Sequence, residues 1–303
     1  MIHSIEFHAM GSQILAAVES LPRPGCLDAI PGWFEAWENT FSRFRADSEL
    51  NMTNCANGVP RLVSQDFADV FEAACRAEQL SDGLVTPVLL DALVGAGYDR
   101  SFELLPRDQG LPKPGEIISL PSLKEVYWDA SQRRIWLPPD LHLDFGGVAK
   151  GWAAAQAADQ IGRYGPALVD AGGDIAITAV QSDGSPWLIG VANPFEPSEN
   201  IEVLKLARCG VATSGRDARN WLRGGRLSHH IIDPRTGLPA DTDVLTATAV
   251  SASVMEAETV AKTLLIMGSE TGLRWLEGLP GSAALLILED GTIICSAGLR
   301  ECI

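Results

Sequence analysis

Apolar and polar residues alternate over residues 5–18, with a break at Met10-Gly11-Ser12, which predicts two short strands joined by a turn. The period then lengthens. Helices are expected over about 28–41 and about 66–80, the second carrying Phe67, Val70, Phe71, Ala74 and Cys75 on one face. Residues 104–124, with Pro106, Pro112, Pro114 and Pro121, read as an excursion loop, because patterned sequence resumes on both sides. Strand patterns follow at 126–129, 134–137 and 141–145, before Gly146-Gly147 opens an Ala-rich helix to about residue 161. Further strands are predicted at 167–171, 175–179, 187–191, 201–206, 210–213, 229–233 and 246–252. A helix over 254–267 stops at Gly268, and a last hairpin, 284–288 and 292–296, turns at Glu289-Asp290-Gly291. Runs of strands mixed with a few long helices predict an α+β fold, with mixed, largely antiparallel sheets layered with helices in one large unit. No solenoid period is visible.

Composition narrows the function. Of 303 residues, 46% are hydrophobic and 20% charged, which is ordinary for a chain that folds around a core. The 23 basic and 39 acidic side chains give a net charge of −16, and no stretch concentrates Lys and Arg among aromatics. A nucleic-acid partner is therefore not expected. No run approaches the roughly 18 apolar residues of a membrane helix. The first residues lack a basic start and apolar core, so the expected location is cytoplasmic. Six cysteines without a Cys-x-x-Cys pair fit reduced thiols better than a disulfide frame or a zinc site.

Five short segments could carry chemistry. Asp144 ends a predicted strand before the Gly146-Gly147 turn, and Lys150 falls in the first turn of the next helix. Glycines admit a ligand to the main chain, the helix start attracts an anion, and Lys150 adds a mobile cation. A plain strand-to-helix turn with Lys150 in water is the other reading. A second double glycine, in Val169-Asp170-Ala171-Gly172-Gly173-Asp174, reads first as a hairpin connection. Thr213-Ser214-Gly215 offers hydroxyls for an oxygen-rich ligand or a polar turn. In His229-His230-Ile231-Ile232-Asp233, alternation puts His230 and Ile232 on one face, where His230 could take a proton from an attacking hydroxyl or serve a structural hydrogen bond. Glu258 and Lys262 lie one helical turn apart, a spacing that alone describes a routine ion pair.

In this order the pieces resemble the ApbE family of flavin transferases, which move FMN from FAD onto a protein hydroxyl. Met10-Gly11-Ser12 resembles the family's Met-Gly-Thr, and Phe41 to Leu50 its S-x-[YF]-x-x-x-S-E-L stretch. Asp144 to Gly151 is similar to D-L-G-G-I-A-K-G, and Ala171 to Asp174, Thr213 to Gly215 and His230 to Gly237 follow in the family's order. The resemblance implies an ApbE-like domain over residues 3–300. It implies that Met10, Phe44, Asp144, Lys150, His230 and Ile231 line an FAD pocket, together with Ser214 and the Leu84-Val85-Thr86 stretch. It also implies attack by a Thr or Ser hydroxyl of an acceptor protein on the FMN phosphorus, with AMP released and His230 as the base. Such transfer needs mainly positioning and positive charge.

The family's late-helix motif A-D-x-x-x-T holds magnesium through its Asp and Thr with an oxygen of the double-glycine turn. The matching residues here are Glu258, Lys262 and Gly147. Glu258 can offer a carboxylate oxygen to Mg²⁺, whereas an ammonium at Lys262 is no ligand and repels a dication. Lys262 could instead bind a phosphate oxygen itself, or pair with Glu258 in a protein that binds a flavin nucleotide without transfer or hydrolyses FAD. Thr86 stands where the family commonly has Asp before the proline.

Overall fold

The computed structural model describes residues 1–110 and 121–301, side chains excepted at 300 and 301. Pro112 and Pro114 of the excursion loop, and Cys302, lie outside the described residues. Backbone contacts divide the chain into two compact units interleaved in sequence: Met1–Phe34, Lys150–Asp217 and Thr242–Ile303 form one, Glu35–Ala149 and Ala218–Asp241 the other.

The first unit is built on a sheet. Among the described residues eight strands hydrogen-bond in the order β1 (Ile2–Ala9), β2 (Ser12–Glu19), β6 (Ala167–Ala171), β7 (Asp174–Ile177), β10 (Cys209–Gly215), β15 (Val244–Ser251), β16 (Ala283–Leu288) and β17 (Ile293–Cys295). Every neighbouring pair is antiparallel. The hairpin of β8 (Trp187–Ala192) and β9 (Asn200–Leu206) covers one face. Strict alternation in β8 sends Trp187, Ile189 and Val191 inward onto Ile175, Ile177, Val211 and Leu285. Each such side chain, taken from water, contributes about 1.5–3 kcal/mol.

On the opposite face α6 (Val254–Met267) packs against β10 and β15, followed by α7 (Ser269–Leu276). Ser253 caps α6 by accepting from the Glu256 N–H at 3.3 Å, and Gly268, at φ 80°, ends it. The strand runs so close beneath the helix that a Cβ on Gly210 would stand 2.0 Å from the Val254 nitrogen. α5 (Ala149–Ile161) approaches α6 through Gly151, and its Ala153, Ala154, Ala157 and Ile161 are buried.

The second unit is helical and irregular. α1 (Ile30–Phe41) leads into it, followed by α2 (Glu49–Asn54), α3 (Gln65–Leu80) and α4 (Leu90–Gly95). A small sheet has the order β3 (Arg61–Leu62), β5 (Arg134–Trp136), β4 (Tyr127–Asp129), and two hairpins pair β11 (Asn220–Arg223) with β12 (Arg226–His229) and β13 (Ile232–Asp233) with β14 (Leu238–Pro239). Phe145 fills its core, edge-on to Phe67 at 5.0 Å and to Phe41 at 6.3 Å.

The α+β layering read from the pattern is the architecture observed. Two predicted strands are not. Residues 141–145 pair with no strand, because Asn54 takes both backbone groups of Leu143, at 2.8 and 2.9 Å, and the Asp144 N–H goes to the Pro87 carbonyl. The predicted strand over 229–233 is two pieces, broken at His230 and Ile231 where the His229 ring accepts from the Ile231 N–H at 3.3 Å. The alternation that placed His230 and Ile232 on one face therefore does not run through.

Candidate active site

In the sheet unit, two tight turns and two helices bring charged groups together. Met10 and Gly11 make the two-residue turn between β1 and β2, both with positive φ, 50° and 64°. A methionine held there stores of order 1 kcal/mol of strain, a mark of positions kept for a purpose other than stability. The turn between β6 and β7 lies against it. The Gly172 N–H donates to the Gln13 carbonyl at 3.1 Å, and a Cβ on Gly172 would come within 2.6 Å of the Ser12 side chain. Gly173, at φ 93°, donates to Asp170 Oδ1 at 2.7 Å. Burial pushes the Asp170 carboxyl above the ordinary carboxylate range against that bond.

Asp174 opens β7, is 2% exposed, and pairs with Lys150 in the first turn of α5. Glu258 on α6, 1% exposed, holds the Lys262 ammonium at 2.9 Å through Oε1. Its other oxygen, Oε2, is buried and has no hydrogen-bond partner among the described residues. That oxygen lies beside Gly151, where an added Cβ would stand 2.5 Å from it. Burial pushes the Glu258 carboxyl up, the Asp174 carboxylate pushes the same way, and the ammoniums of Lys262 and Lys150 oppose them. Nearby on β10, Ser214 is 6% exposed, whereas Thr213 is open and shares a hydroxyl contact of 2.9 Å with Thr248.

These groups do not fit magnesium. Its octahedral shell takes oxygens, yet the hydroxyl expected one turn after Glu258 is an ammonium, and the Asp174 carboxylate is committed to Lys150. Among the described residues no three carboxylate, histidine or cysteine side chains converge as a metal set.

The helical unit gathers a different set, centred on a residue the sequence analysis missed. Arg43, 7% exposed at its side chain, forms an ion pair from Nε to Asp144 Oδ2 at 3.0 Å and donates from Nη1 to the Tyr98 carbonyl at 2.7 Å. Its guanidinium carbon lies 4.2 Å from the Phe44 ring centre and 4.3 Å from that of Tyr98, a cation between two aromatic faces. Nη2 is buried without a hydrogen-bond partner among the described residues. Phe44 remains 40% exposed. Tyr98 also packs on Trp221 at 5.5 Å and edge-on to His230 at 6.4 Å. The Ile231 carbonyl accepts from the Ala240 N–H at 2.9 Å, and Asp233 holds the following turn through Arg235, Thr236 and Gly237.

Asp144 Oδ1 accepts from the Gly146 N–H at 2.8 Å, which closes the double-glycine turn around the carboxylate. Gly147 lines a small cleft with Val85, Thr86, Pro87 and Asp144. Thr86 spends its hydroxyl on Glu78, whose carboxyl burial pushes up and that bond draws down. Leu84 and Val85 are each 6% exposed. The structure thus brings Met10, Lys150, Glu258 and Lys262 into the sheet unit, and Phe44, Thr86, Asp144, Gly147, His230 and Ile231 into the helical unit. Arg43 and Tyr98 carried no signal, since the contact between them spans 55 positions; only their place beside aromatic and glycine residues in polar stretches could have drawn attention.

Comparison with known proteins gives the family and the fold. The chain is 30% identical over 270 residues to the FAD:protein FMN transferase of Vibrio cholerae, covering 84% of this chain and 79% of that one. It is 28% identical over 293 residues to the protein of the same description from Treponema pallidum, covering 87% and 77%. The crystal structure of the ApbE protein from Thermotoga maritima superposes with a TM-score of 0.90 at 25% identity, covering 100% of this chain and 99% of that one. The flavin transferase ApbE of Vibrio cholerae has the same fold, with a TM-score of 0.83 at 24% identity, covering 100% and 99%. The family model described as "ApbE family" matches residues 10–287, from the strained methionine turn to the last long strand, and the chain belongs to that family.

Proposed function

We propose that this protein is an FAD:protein FMN transferase, which binds FAD, passes its FMN moiety to a threonine or serine hydroxyl of an acceptor protein and releases AMP. The observation that carries the reading is the packing of the Met10 turn against the Gly172-Gly173 turn, together with two half-buried ammoniums, Lys150 and Lys262, in the same unit. Backbone N–H groups and ammoniums with little side-chain bulk suit a diphosphate. The open face of Phe44, backed by Arg43 and Tyr98, suits an isoalloxazine ring.

In the reaction the acceptor oxygen attacks the phosphorus of the FMN phosphate. The new P–O ester bond forms as the diphosphate bond breaks, and the bridging oxygen leaves on AMP. The hydroxyl proton passes to His230, the side-chain type suited to that task near neutral pH. Met10, Phe44, Leu84, Val85, Thr86, Asp144, Lys150, Ser214, His230 and Ile231 are the proposed FAD-contacting residues. No step is assigned to a metal, because Glu258, Gly147 and Lys262 do not compose a set of oxygen ligands. Residues 3–300 act as one functional domain in this proposal, because the family match over residues 10–287 runs through both interleaved units. No described helix is long and apolar enough to cross a membrane. A cytoplasmic place of action is proposed, supported by the free thiols of Cys26, Cys55 and Cys75.

The test is incubation with FAD and a protein bearing an accessible acceptor threonine. An FMN adduct by mass spectrometry and an equal amount of AMP are expected, both abolished by His230→Ala. Bound FAD with neither adduct nor AMP would leave a flavin-binding protein instead.

A further inference from the structure

We infer that the ammonium of Lys262 is a resident cation of the transfer site, taking a diphosphate oxygen of FAD where a dication would otherwise be needed. The inference rests on the proposed function and concerns the same site. α6 is buried along nearly its whole length, yet the Lys262 side chain keeps 16% of its surface open. An ammonium has three N–H donors. Glu258 Oε1, at 2.9 Å, is the hydrogen-bond partner of Lys262 among the described residues, so two donors are left to give.

The surrounding charges decide which sign of ligand is welcome. Glu258 and Asp174, 1% and 2% exposed, are each matched by one ammonium, Lys262 and Lys150, and burial favours the neutral form of the neighbouring Asp170 carboxyl. A site for a dication carries an excess of carboxylate, because burying uncompensated positive charge is costly. Here a dication at Glu258 meets the repulsion of two ammoniums, Lys262 and Lys150, which both act on that carboxylate. An anionic oxygen meets spare N–H donors and the first turn of α5, whose helix start faces the same cluster through Gly151. Lys262 is therefore held at one end by Glu258 and free to donate at the other.

The experiment measures FAD and ADP affinity by calorimetry, and Mn²⁺ binding by electron paramagnetic resonance, on the full chain with and without a chelator. FAD affinity of the wild type should be unchanged by chelator, and stoichiometric Mn²⁺ should not bind. Lys262→Met should weaken both nucleotides at least tenfold and Lys262→Arg should restore most of it. Should Lys262→Met fold poorly, with Glu258 left unpaired, Lys262→Met with Glu258→Gln removes both charges and should show the same loss. Lys262→Thr should acquire Mn²⁺ binding and a Mg²⁺ requirement for FAD. Stoichiometric Mn²⁺ in the wild type, or full FAD and ADP affinity in the folded double variant, overturns the inference. Loss of ADP affinity on Lys262→Met in a protein that forms no FMN adduct would leave the cation role standing and remove transfer.

Discussion

The two units place their functional groups by opposite means. In the sheet unit, charged side chains sit on regular elements and are almost sealed: Asp174 and Glu258 are 2% and 1% exposed, each tied to an ammonium. In the helical unit the groups sit on irregular backbone, with Phe44 in the turn after α1, Asp144 on a stretch outside any strand and His230 at a strand break. Buried charge requires fixed geometry, because an unmatched charge out of water is expensive, and sheets and long helices supply it. Aromatic surface tolerates small displacements, because its contacts are non-directional, so loops can carry it.

The contrast can be broken most forcefully at the packing of α6 on β10. Gly210→Ala would drive a methyl into the Val254 backbone, and urea unfolding should register a loss of about 3 kcal/mol or more. Gly83→Ala in the helical unit meets no atom within 4 Å and pays only for its φ of 86°, about 1 kcal/mol. Equal losses would remove the distinction. Next in size is Lys150→Met, which leaves a nearly sealed Asp174 carboxylate unpaired and should lower stability by about 2 kcal/mol. Adding Asp174→Asn should return most of it, and failure to do so would mean that the ion pair was not the source.

Arg43→Met keeps the aliphatic stem but removes the cation from between Phe44 and Tyr98 and frees Asp144. A loss of about 1–2 kcal/mol is expected, with FAD affinity down by about tenfold, and Arg43→Lys should not rescue it because an ammonium lacks the planar fork. The smallest effect is a pH dependence in the helical unit. His142 Nδ1 lies 3.0 Å from both Asp91 oxygens; that bond raises the imidazole pKa and burial opposes it. A raised folded-state pKa gives stability that is fully present below the unfolded value of about 6.5 and lost as pH rises through the folded one. His142→Asn should therefore cost stability at about pH 5.5 and almost none at about pH 9; a constant difference across that range would show that the proton plays no part.

Much of the sheet unit could be read from the chain. The strands of β1, β2, β6, β7 and β10 alternate or run apolar, and α6 announces itself with Ser253 before it and Gly268 after it. The helical unit resisted for physical reasons. α2 and α4, six residues each, are too short for a 3.6-residue period to declare itself. Side chains there capture backbone groups that strands would otherwise share, as Asn54 does for Leu143 and His229 for Ile231. The site followed the same rule. Lys150, Glu258 and Lys262 lie on elements with a sequence signature, whereas the clamp on Arg43 depends on residues 44, 98 and 144, which only the folded chain brings together.

The polypeptide passes between the units four times, after Phe34, Ala149, Asp217 and Asp241. Neither half can be excised as one uninterrupted fragment, and a break at any single crossing leaves both halves still joined elsewhere by peptide bonds. Gene fusion or truncation cannot trade one half for another in one step, so the aromatic and the charged equipment are inherited together.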